Sequence, residues 1–86
     1  MKRLRDFSIH GTAVDCDQNI KLDEISILAD PGTIRALGVF LISASYEMEI
    51  NGLEHMHLQD LVENFSSKKH VDLVAINKKM VGLLGE

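Results

Sequence analysis

Eighty-six residues suit one domain, and a mixture of 45% hydrophobic with 26% charged residues is that of a folding chain rather than a disordered one. Nine basic residues against thirteen acidic give a formal charge of −4, which opposes a nucleic-acid backbone and suits a basic protein surface. The longest apolar stretch falls far short of the ~20 residues of a membrane span, and charges interrupt the start of the chain where an export signal needs an apolar run. The expectation is therefore one cytoplasmic domain over residues 1–86, with neither nucleic acid nor membrane as partner.

The residues from Phe7 to Val14 alternate in hydrophobicity with the period of a half-buried strand. Asp15-Cys16-Asp17-Gln18-Asn19 follows, rich in side chains that bond their own backbone in turns, and Ile20 opens a second apolar segment. Together they predict a hairpin. Ile20 and Leu22 share one parity while Ile25, Ile27 and Ala29 share the other, so either a β-bulge lies at Asp23-Glu24 or a short separate piece precedes the main strand. Cys16 has no cysteine partner within the chain, and its two aspartate neighbours disfavour a reactive thiolate.

Asp30-Pro31 predicts a helix start, because Asp30 can accept an early amide and Pro31 lacks the donor that would otherwise be orphaned. Ile34, Leu37, Leu41, Ala44 and Met48, with Phe40 alongside, form the expected core stripe. Val39, Ile42 and Tyr46 fall partly outside it and call for a second layer or a partner. Gly38 costs about 1 kcal/mol relative to Ala inside a helix, which predicts close packing against a neighbour. Asn51-Gly52 predicts the stop, within a few residues of Ile50.

Leu53 to Leu61 reads as a strand, with a helix from Leu58 to Phe65 nearly as good. Val71 to Ile76 has the β-branched character of a buried, central strand. Residues 78–86 read as a short helix or an apolar tail carrying Met80, Val81, Leu83 and Leu84. The predicted class is α+β: strand, strand, helix, strand, strand, with the main helix packed on an antiparallel or mixed sheet.

His55 and His57, one residue apart on a strand, project to the same side and could share a zinc ion, but a third protein ligand is needed and no Cys or His follows at ligand spacing. His10 or His70 could complete such a site only through the fold. The expectation is no metal and no cofactor. His55, His57, Gln59 and Asp60 then read either as ordinary surface polar residues or as donors and acceptors at a partner interface. No serine has nucleophile-elbow spacing and the glycines are scattered, so no catalytic residues and no phosphate loop are expected.

The helical segment Phe40-Leu41-Ile42-Ser43-Ala44-Ser45-Tyr46-Glu47-Met48, followed by His55-Met56-His57-Leu58-Gln59-Asp60, resembles immunity protein family thirty-two of bacterial polymorphic toxin systems. The similar order of elements runs from Phe7 to Asn77. The resemblance implies a small cytosolic protein that binds and neutralises a cognate toxin without catalysis, with His55, His57, Gln59 and Asp60 as the first candidate surface. The alternatives are a homodimeric regulatory or ligand-sensing module and, third, a metal-binding protein.

Overall fold

The Asp30-Pro31 signal opens the longest element, helix α1 (Pro31–Asn51), in a computed structural model that describes residues 3–83, with side chains described through Met80. Asp30 caps it: its Oδ1 accepts the Thr33 amide at 2.8 Å, and this backbone hydrogen bond holds the Asp30 carboxyl below its ordinary pKa. Gly52, at φ 65°, ends the helix in the left-handed conformation, and the Leu53 amide reaches back to the Glu47 carbonyl at 3.4 Å. Asp30→Ala is expected to lower the thermal midpoint, and Asp30→Asn, which keeps an acceptor oxygen, to recover most of the loss. Because the folded pKa is depressed, the charge contribution is present above the ordinary aspartate pKa and fades as pH falls through the folded value; melting curves from acid to neutral pH check both statements.

The α+β class and the order of elements hold, and the four strands pair as two separate two-stranded antiparallel sheets. In the first, β1 (Ile9–Gly11) pairs with β2 (Ile20–Leu22), Ile9 opposite Leu22. The predicted turn joins them, with Asp15 at φ 62°, a conformation aspartate tolerates, and the Cys16 amide bonded to the Ala13 carbonyl at 3.1 Å. β2 ends where the parity slips, so the first short piece pairs while Ile25, Ile27 and Leu28 remain unpaired and exposed.

In the second sheet β3 (His55–His57) pairs with β4 (Val74–Ile76). A 3-10 turn, Leu58–Asp60, follows β3, so the strand and helix readings of Leu53 to Phe65 each describe one part of it. Among the described residues β4 has β3 as its sole neighbour, which corrects the expectation of a central strand: Val71 and Ile76 are exposed because no further described strand covers them. α2 (Lys78–Leu83) closes the described chain, started by the Asn77 Oδ1 that accepts the Lys79 amide at 3.1 Å. Leu84, at the end of the predicted apolar patch, lies outside the described residues, as do the side chains of Val81 and Leu83.

α1 packs against β3. A two-stranded ribbon covers only a narrow arc of a helix, and among the described residues Phe40 (5% exposed) and Ala44 (1%) alone are buried. Leu37 and Met48 flank them half-buried. Ile34 and Leu41, expected in the core stripe, are exposed instead, being at its edge and beyond the ribbon's reach. The Gly38 expectation is also corrected, since a Cβ built there would meet nothing within 4 Å.

The chain exposes 8020 Å², whereas a monomer of 9.6 kDa ordinarily exposes about 5,100 Å². Its radius of gyration is 14.0 Å, against about 12 Å for a compact domain of this length. The surplus is roughly 2,900 Å² of total surface, and Leu28, Val39, Ile42, Tyr46 and Ile50 are among the large hydrophobic residues exposed.

Candidate functional site

The site begins with the register of the second sheet. His57 stands opposite Val74, and the ladder continues past the strands through Leu58 N–H to the Leu73 carbonyl at 2.9 Å and Asn77 N–H to the Glu54 carbonyl at 2.7 Å. Carried one step further, this register sets Asp72 beside Gln59. The Asp72 carboxylate accepts His57 Nδ1–H at 2.7 Å through Oδ2 and the Gln59 amide at 2.9 Å through Oδ1.

A carboxylate can only accept, so the pair fixes the His57 proton on Nδ1 and leaves Nε2 for another partner. The hydrogen bond to Asp72 raises the His57 pKa above its ordinary value; desolvation opposes it, and the charges of Asp72 and Asp60 add smaller contributions to the rise. Burial alone would raise the Asp72 carboxyl, but the His57 ring and the Gln59 amide outweigh it and hold the group below its usual range.

His55 meets His57 edge-on, ring centroids 5.2 Å apart, with its own Nδ1 3.4 Å from Glu54 Oε1. Of the four residues predicted for the site, His55 and His57 lie together on β3, and Gln59 and Asp60 follow on the 3-10 turn, both exposed. His10 is on β1, opposite Lys21. His70 accepts the Ser66 amide at 3.0 Å and lies against Phe65, apart from the β3 pair. Among the described residues no three His, Cys, Asp or Glu side chains are grouped to hold a metal ion.

Asp72 was not singled out from the sequence. The signal was an acid inside the apolar run Val71 to Ile76, where a charge requires a partner, but the partner is set by a register that spacing alone does not give.

The segment carrying these polar groups also borders an open, largely apolar groove of about 810 Å³. Leu37 and Phe40 of α1 line it together with Leu58, Leu61, Val62 and Phe65 from the turn and the loop that follows. Sequence reasoning read Leu58 to Leu61 as the end of a strand or the start of a helix running to Phe65, and gave Gln59 and Asp60 a binding role but not Leu58, Leu61, Val62 or Phe65. Among the described residues no helix is long and apolar enough to cross a membrane. No protein-family model matches the chain, and neither a curated protein nor a solved structure matches it.

The His57–Asp72 pair gives a pH expectation with two limits. The raised His57 pKa contributes stability fully below the ordinary imidazole value of about 6.5, and this is lost as pH rises through the folded pKa. The depressed Asp72 pKa contributes above the ordinary carboxyl value and is lost as pH falls through its folded pKa. The pair therefore supports the fold most strongly between those two ordinary values. Asp72→Asn should flatten that window in the melting profile and lower the NMR titration midpoint of His57; an unchanged midpoint would remove Asp72 as its cause.

Proposed function

We propose that this chain is a non-catalytic protein-binding module that neutralises a cognate bacterial toxin by covering the toxin's functional surface. The observation that carries the reading is the open apolar groove beside the polar His55–Asp60 segment. An apolar centre with polar groups at its margin is the anatomy of a protein-binding face, in which desolvated contacts supply most of the affinity and the margin sets orientation. The exposure of large hydrophobic residues such as Leu28 and Leu61, both lining the groove, supports it, since a partner would cover them. The formal charge of −4 favours a basic partner, and steering by opposite charge speeds encounter. The resemblance of Phe40–Met48 and His55–Asp60 to immunity protein family thirty-two supplies the toxin as the partner class.

In this reading Leu61 and Phe65 seat apolar groups of the toxin, while His57 Nε2, His55, Gln59 and Asp60 bond its polar edge. The test is co-expression with candidate bacterial toxin domains, chosen by their toxicity when expressed alone. The wild type should restore growth, and the folded triple variant His55→Ala, His57→Ala, Gln59→Ala should protect markedly less. Equal protection by the triple variant would remove the polar edge from the mechanism, and no protection by the wild type would end the immunity reading.

A further inference from the structure

The face of α1 turned away from the ribbon carries a second apolar stripe, Val39, Ile42, Tyr46 and Ile50, spaced three and four apart. At 100° per residue its midline lies about 160° round the helix from that of Leu37, Phe40, Ala44 and Met48. The four side chains are 57%, 59%, 57% and 72% exposed. Val39 also lines the edge of the groove, whereas Ile42, Tyr46 and Ile50 lie outside it.

Their neighbours are arranged symmetrically about Ile42. Arg35 lies seven residues before it and Glu49 seven after; Gly38 lies four before and Tyr46 four after. Among the described residues neither Arg35 nor Glu49 has an ion-pair partner. Gly38 carries the helix cost of a glycine with open space where its Cβ would be, so nothing within the chain requires it.

We infer that α1 pairs with α1 of a second copy of this chain, antiparallel about a two-fold axis at Ile42. An isologous contact brings residue i against j and j against i. Here Arg35 meets Glu49 of the second copy twice, and each Tyr46 ring lies over the opposite Gly38, where the absence of a Cβ lets the backbones approach. A parallel pairing would set Arg35 against Arg35.

Sedimentation equilibrium on the full chain tests the pairing, with circular dichroism to confirm that each variant keeps its helix. The wild type should be a dimer, and Ile42→Glu, which sets two charges against each other on the axis, a monomer. Arg35→Glu should weaken the dimer about tenfold, because two symmetry-related attractions become repulsions. Arg35→Glu combined with Glu49→Arg should return it to within about threefold of the wild type. Gly38→Ala should weaken association while leaving the monomer at least as stable. A wild type that stays monomeric at high concentration overturns the inference, as does a dimer that survives Ile42→Glu or a double exchange that does not restore it.

Discussion

Phe40→Ala is expected to cost about 3 kcal/mol, the lower part of the range for truncating a buried aromatic. At about 0.05 kcal/mol per residue, the figure for marginal domains, the whole chain is worth only about 4 kcal/mol. The variant should therefore lose most of its margin and, at elevated temperature, its cooperative unfolding. The effect is large because the core is small: Phe40 and Ala44 are the buried residues among those described, so no neighbouring core absorbs the cavity. Val14→Ala is the control, since Val14 is 91% exposed and should change stability by less than about 0.5 kcal/mol. Urea titration followed by circular dichroism measures both. A Phe40→Ala loss as small as the control's would mean that the helix is held by contacts other than this one.

Leu61→Asp should separate binding from folding. Leu61 lines the groove and is 55% exposed, so a carboxylate there stays hydrated in the free chain and should change stability by less than about 0.5 kcal/mol. In a complex the same carboxylate would be stripped of water with nothing apolar to gain. The expected loss for a residue lining the proposed contact is about 2 kcal/mol or more, a weakening of at least about thirtyfold in affinity for the proposed toxin partner. Calorimetric titration of the toxin domain into the two forms reads it directly. An affinity within a factor of about three of the wild type would take the groove out of the interface.

Local signals in the sequence were legible where their chemistry is local. Asp30-Pro31 and Asn51-Gly52 bound α1 because an N-cap acceptor, a residue without an amide donor and a left-handed stop act within one turn. The Asp15 to Asn19 turn likewise yields the β1–β2 hairpin. What was not legible depends on partners distant in the chain. Val71 to Ile76 has the composition of a buried strand, yet only Val74–Ile76 pairs, and only on one side. Ile34 and Leu41 have helical spacing for a core, but the covering ribbon is too narrow to reach them.

The candidate site divides in the same way. His55, His57, Gln59 and Asp60 stand out as a dense polar cluster, and β3 with its 3-10 turn holds them on one edge. Asp72, which fixes the His57 tautomer, comes from fifteen residues away through the register. The groove needs Phe40, Leu61 and Phe65 to meet across different elements, which periodicity within one element does not express. Apolar residues in excess of the available cover were visible in the sequence; which of them remain exposed was set by the fold.

Hydrogen exchange of the chain with and without a candidate toxin domain distinguishes whether the groove is the contact face. New protection is expected over residues 57–65 and over the first turns of α1 that border the groove, with little change in the β1–β2 hairpin. Protection confined to the β1–β2 hairpin, or none at all at saturating toxin, would contradict it.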